Sequence, residues 1–218
     1  GVVLIDGINI TENLSKYKDI NITIVINGSV EKVYSDNDLN LTVNGSISEC
    51  VSLGSGRINS KSINGNISIK EDGTVNTNEM NGNIALDNDG NVTVSNDLYG
   101  DIKTHTGDIS LYGVVNGSIS IESGDISAGE VSGNVAVGKG DVSCSDVKGN
   151  ITVNSGDVSC SEITGNIDLG NGDISCDDVG GSITINTGDI NCDNIGGHVE
   201  VKVGDVDCGD VGEYLKIG

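Results

Sequence analysis

From Gly124 onward the chain repeats a pattern of apolar and polar positions with a fixed step of 16 residues. Gly-Asp pairs mark the step, at Gly124-Asp125, Gly140-Asp141, Gly156-Asp157, Gly172-Asp173, Gly188-Asp189 and Gly204-Asp205. A second glycine series runs through Gly133, Gly149, Gly165, Gly181 and Gly197. Between the glycines stand four aliphatic columns. One holds Val142, Val158, Ile174, Ile190 and Val206, and the next Val147, Ile163, Val179, Ile195 and Val211. The others hold Ile151, Ile167, Ile183, Val199 and Leu215, then Val153, Leu169, Ile185, Val201 and Ile217. A fifth column is cysteine, with Cys144, Cys160, Cys176, Cys192 and Cys208, preceded by Ala128.

Within a unit, apolar residues alternate with polar ones, as in Val142-Ser143-Cys144 and Ile151-Thr152-Val153. A period of two buries one face of a strand. The β-branched residues favour that conformation. A strand plus crossover helix needs about 30 residues, more than the unit offers. The predicted fold is therefore all-β: a single-stranded parallel β-helix, or β-solenoid, with each coil stacked in register on the last. Right-handed winding follows from the crossover rule.

Coils of 17 residues start upstream at Gly107-Asp108, Gly90-Asn91, Gly73-Thr74 and Gly56-Arg57. The extra residue is expected at a corner, since a shift inside a strand would invert its faces. Some 11 coils at about 4.8 Å spacing make a rod on the order of 50 Å long. The chain reads as one solenoid domain. Residues 1–27 form an N-terminal cap, with a β-hairpin through Asp6-Gly7. Irregular coils follow over 28–106, regular coils over 107–212, and a C-terminal cap over 213–218. Caps are expected because an open end exposes apolar columns and unpaired backbone.

The runs Asn116–Gly124 (N-G-S-I-S-I-E-S-G), Gly133–Asp141 and Gly149–Asp157 resemble those of the bacterial adhesin-like β-strand-repeat proteins. The resemblance spans residues 45–212 and implies a β-helix with a role at a cell surface.

Charge narrows the functions. The chain carries 33 Asp+Glu against 11 Lys+Arg, a formal net charge of −22. Direct nucleic-acid binding by phosphate neutralisation is excluded on that balance. No apolar run is long enough for a transmembrane helix, so membrane insertion is not expected. No signal peptide is visible at the start of the chain. Six cysteines without a pairing pattern fit a reducing compartment, which favours the cytoplasm; the family resemblance favours the cell surface.

Two carboxylate columns could carry chemistry. Asp125, Asp141, Asp157, Asp173, Asp189 and Asp205 line one corner and form a candidate cation column for calcium, which wants six to eight oxygens. The competing role is that each aspartate caps its own corner by accepting backbone N–H groups. Glu130, Asp146, Glu162, Asp178 and Asp210 form a candidate acidic interaction face. The cysteine column reads as a buried ladder, since in-register thiols neither wrap a metal nor favour disulfides.

His105 and His198 lie in different coils, and both are expected to be exposed, with no nucleophile beside them. Corners this short leave no loops to build a groove, and no aromatic platform for sugars is visible. The position of Thr152 becomes Asp168, Thr184 and Glu200 in later coils, so no flat ice-binding array forms. Catalysis and cofactors are not expected. The functional expectation is a non-enzymatic structural or binding module that meets a protein or cell-surface partner through an acidic face or through residues 1–60. The alternatives are an acidic mimic of nucleic acid that occupies a DNA-binding protein, and a calcium-stabilised extracellular repeat. Self-association through the solenoid ends is a further expectation.

Overall fold

The computed structural model describes residues 3–10 and 22–218. The described residues contain 25 strands and no helix. Parallel strands stack into a β-solenoid of about 12 turns.

In the regular half each coil contributes two strands, such as Val142–Val147 and Ile151–Ser155. They pair with Val158–Ile163 and Ile167–Asn171 of the next coil. Val142 faces Val158, Cys144 faces Cys160 and Ile151 faces Ile167, a constant step of 16. The inward residues Val142, Cys144, Val147, Ile151 and Val153 are all buried. Their in–out alternation breaks three times per coil: between Cys144 and Val147, between Val147 and Ile151, and between Val153 and Val158. The chain bends at those breaks.

The corners explain the glycines. Gly156 sits at φ 141°, and a Cβ there would lie 2.0 Å from the Gly140 carbonyl oxygen of the preceding coil. Both the left-handed backbone and the close approach demand a residue without a side chain.

The irregular half keeps the same columns with an uneven step. Val33 pairs with Val51, Leu39 with Gly56 and Ile47 with Ile63, steps of 18, 17 and 16 within one coil. The register shifts fall between Ser35 and Asp38, between Val43 and Ser46, and between Thr104 and Thr106. None of these stretches carries a buried residue between its ends. Slack collects at exposed bends, because a slip within an inward segment would turn its apolar residues outward.

Two columns can be followed through almost the whole solenoid. One runs Ser35, Leu53, Ile69, Leu86, Thr104, Ile121 and on to Ile217. The other runs Val43, Ser60, Thr77, Val94, Leu111, Ala128 and then the five cysteines. Hydroxyls in these columns share one solution. Thr77, Thr104 and Ser35 are buried, and each donates to the carbonyl two residues on, at 3.0, 3.2 and 3.3 Å. That local bond avoids the cost of about 1–3 kcal/mol for an unpaired buried polar group.

At the N-terminal end Val3–Ile5 and Ile8–Asn9 form a hairpin around Asp6 and Gly7, both at positive φ. Val3–Ile5 lies antiparallel on Val33–Ser35, and Asp6 accepts the Glu31 and Lys32 amides at 2.5 and 3.1 Å. Ile22–Ile26 covers Leu39–Val43 in parallel. Residues 1, 2 and 11–21 of the expected cap lie outside the described residues. At the other end Leu215–Ile217 pairs with Val199–Val201, and Leu215 and Ile217 are half exposed.

Candidate functional site

The six Gly-Asp aspartates form an unbroken hydrogen-bonded ladder. The Oδ1 of Asp125 accepts the backbone N–H of Asp141 at 2.9 Å, and Asp141 accepts that of Asp157 at 2.8 Å. The ladder continues through Asp173, Asp189 and Asp205 at 2.8 Å per step. Upstream it extends through Asp108 to Asn91. The expectation that each aspartate caps its own corner needs correcting, because the accepted amide belongs to the next coil. A one-coil step brings that amide under the carboxylate, while the glycine before it leaves the path clear. Like charges about 4.8 Å apart repel by roughly 1 kcal/mol in water-like surroundings. A charge-assisted bond of about 1.5–3 kcal/mol per step outweighs this. A sister ladder at the opposite corner uses carboxamides: Asn134, Asn150 and Asn166 accept the amides of Asn150, Asn166 and Ser182 at 2.8 Å each.

The second acidic column is also in register, with Asp146 facing Glu162 and Glu162 facing Asp178. It is less uniform. Glu130 is paired with Lys148, Asp146 accepts the Glu162 amide at 3.3 Å, and Asp178 accepts the Asn194 carboxamide at 2.8 Å. Asn194 in turn accepts the Asp210 amide at 3.4 Å.

Charge separates by face. The strands from Ile102–Thr106 to Leu215–Ile217 carry Lys103, Lys139, Lys202 and Lys216 against Glu122, Asp168 and Glu200. The facing strands, from Ile109–Leu111 to Val206–Cys208, carry Asp146, Glu162, Asp177, Asp178, Asp193 and Asp207 with no cation. The molecule therefore has a near-neutral side and a strongly acidic side.

The cysteine ladder is in register from Cys144 to Cys208. Cys144, Cys160 and Cys176 are 7–8% exposed, more open than the aliphatic residues of the same coils at 0–3%, while Cys192, at 3%, is as closed as they are. The column stands beside a bend, where packing is loosest. Cys208 is only partly buried, which corrects the expectation of five buried thiols. All are free, and Cys50 is exposed. Hydrogen bonding to Cys160, reinforced by burial, pushes the Cys144 thiol up from its ordinary range. Cys192 does the same for Cys176. Burial, then Cys192, raises Cys208.

One histidine meets the expectation and the other departs from it. His105 is exposed and pairs with Glu122 at 2.9 Å. His198 is half buried, stacked on Tyr214 with ring centroids 4.8 Å apart, and its Nδ1 lies 3.0 Å from Ser182 Oγ. A serine does therefore lie beside it. Yet Glu213 approaches that same Nδ1, at 3.7 Å, whereas a triad needs serine and carboxylate on opposite ring nitrogens. Ser182 Oγ also accepts the His198 amide at 3.1 Å, so the pair is the last step of the carboxamide ladder.

One site was not visible in the sequence. Tyr99, 54% exposed, stands at the edge of a cavity of about 310 Å³ that Asn64, Asn81, Asn96, Glu79 and Asp97 also line. An aromatic wall thus exists where none was expected. Its partners are spread over residues 64–99, and only the 17- and 18-residue steps bring them together.

No group of three or more His, Cys, Asp or Glu is arranged to hold a metal among the described residues. Comparison with family models, curated proteins and solved structures found no significant match for this chain.

Proposed function

We propose that the protein is a non-enzymatic, adhesin-like binding module that offers a rigid acidic edge to a basic protein or cell-surface partner. The supporting observation is the aspartate ladder. Five of the six carboxylates, from Asp125 to Asp189, are each oriented by one inter-coil bond through Oδ1, and their second oxygens have no protein partner among the described residues. A pre-ordered row of like charges attracts a cationic surface at long range and loses little entropy on contact.

The test uses a property of the ladder itself. Asn91 occupies a rung with a carboxamide and accepts the next amide at 2.8 Å. Replacing Asp125, Asp141, Asp157 and Asp173 together by Asn therefore keeps the acceptors and removes four charges. A basic partner captured from lysate by the native protein should escape this variant, and should be released from the native protein as salt rises. Equal capture by both proteins would end the proposal. A partner displaced by duplex DNA would favour the nucleic-acid mimic instead.

A further inference from the structure

We infer that the cavity beside Tyr99 is a binding site for a neutral saccharide unit. This deepens the reading of the protein as a binding module by naming a ligand class, and it uses none of the acidic-ladder residues.

The site is built by register. Ile63 pairs with Met80, and Met80 pairs with Leu98. All three side chains point into the core, so the residues on either side of them point out. Glu79 and Asp97 stand one residue before Met80 and Leu98, in one outward row. Asn64, Asn81 and Tyr99 stand one residue after, in a second row. The cavity lies between a row of carboxylates and a row of carboxamides that ends in a phenol ring.

The polar groups are unspent. Stacked asparagines elsewhere satisfy each other: Asn44 donates to Asn27 at 2.7 Å and Asn76 to Asn59 at 3.1 Å. Here the side chains of Asn64, Asn81, Asn96 and Glu79 have no protein partner among the described residues, although Asn64 and Asn81 occupy successive coils. Asp97 uses Oδ1 to accept the Val114 amide at 2.9 Å, which fixes its carboxylate and leaves the other oxygen available.

The chemistry selects the ligand. No Lys or Arg lines the cavity, so an anion would meet two carboxylates without a counter-charge. A cation would use the carboxylates but leave three carboxamide N–H₂ groups idle, and one aromatic ring is not a cage. A hydroxyl both donates and accepts. A pyranose can give its hydroxyl protons to Glu79 and Asp97, accept from the carboxamides, and lay its C–H face on Tyr99. The volume is at the small end of ligand pockets, which suits one sugar ring. A ligand of about a dozen heavy atoms in an open site of this kind binds in the millimolar range.

The test is a titration of the ¹⁵N-labelled full chain with D-glucose, D-galactose, D-mannose and N-acetyl-D-glucosamine, each to roughly a hundred millimolar, well above that range. At least one sugar should give saturable shifts at the amides of Asn64, Met80, Asn81, Asp97 and Tyr99. Tyr99→Ala and, separately, Asn81→Ala should each weaken it about tenfold or more. Both side chains point outward, so circular dichroism and the thermal midpoint should match the native protein. No saturable shift with any of the four sugars would overturn the proposal. So would sugar shifts unaffected by both variants, or saturable binding of choline or arginine amide at these residues without any sugar. None of these outcomes bears on the acidic edge, which the aspartate-to-asparagine variant tests on different residues.

Discussion

The two halves of the solenoid bury the same columns by different rules. From Ile119 onward every coil repeats at 16 residues, and two of its three corners reuse one glycine and one hydrogen-bonding side chain. Before it the step wanders between 16 and 18, and inward positions are taken by Leu, Thr, Ser and Met as well as Val and Ile. The core needs only that inward segments align. Corner length is free to vary as long as surplus residues stay outside. Regularity is thus not required for folding. Nor is it required for ladders, since Asn66, Asn83 and Asp101 accept the next coil's amide across steps of 17, 18 and 17. What the constant step adds is an unbroken run of one residue type, aspartate, at one corner. In the irregular half the steps of 17 and 18 set Tyr99 beside Asn81 and Asn64 at the cavity described above.

The sharpest way to break this contrast is at the corners. Gly156→Ala places a Cβ 2.0 Å from a backbone oxygen at positive φ, whereas Gly28 has nothing within 4 Å of the same atom. We expect Gly156→Ala to cost about 4 kcal/mol or more in urea unfolding, and Gly28→Ala about 0.5 or less. Equal costs would mean that the close approach of the neighbouring coil does not decide which corner positions need glycine.

Next in size is the column that becomes cysteine. Thr77→Val should lower stability by about 1–2 kcal/mol, because the Glu79 carbonyl loses its donor. Cys160→Ser should cost less than Thr77→Val, since a hydroxyl at that bend can adopt the bond Ser60 makes to the Ser62 carbonyl at 3.0 Å. Chemical denaturation of both variants checks the order.

A pH series tests the thiols as a group. Cys144, Cys176 and Cys208 are raised in the fold, whereas hydrogen bonds from Cys144 and Cys176 lower Cys160 and Cys192. Above the ordinary thiol pKa of about 8.5 the folded chain therefore still holds the protons of the three raised thiols that the unfolded chain releases. Their contribution is complete below that value and is lost as pH rises past it. The midpoint should fall above about pH 9, and a variant with alanine at all five ladder cysteines should fall less steeply. Parallel curves would remove the thiols from the account. The smallest effect belongs to Asp141→Asn alone, which keeps its acceptor and should move stability by about 0.5 kcal/mol or less.

The architecture was legible because Val, Ile and Leu recur at fixed intervals, and a period of two within a period of 16 has few other solutions. The hairpin was legible through Asp6-Gly7. Continuation of the cysteine column upstream was hidden, since Ser60 and Thr77 do not look like core residues until their bonds to the chain two residues on are seen. The partner of each ladder aspartate was hidden as well. A one-dimensional pattern gives the spacing of carboxylates and leaves open whether each meets its own coil's amide or the next one's. The Tyr99 cavity was out of reach for a related reason: Asn64, Asn81 and Tyr99 are separated by steps of 17 and 18, so no single period brings them together.

The constant step of the regular half makes its length a counted quantity. Excising residues 157–172 removes one whole wrap and joins Gly156 to Asp173, which restores a Gly-Asp corner and leaves every later column in phase. Excising one residue fewer would leave a 17-residue coil, whose surplus would have to sit at an exposed bend as it does upstream. Whole-unit changes therefore lengthen or shorten the regular half without a new bend, and the number of charged rungs it displays changes by integers, as marks do on a ruler.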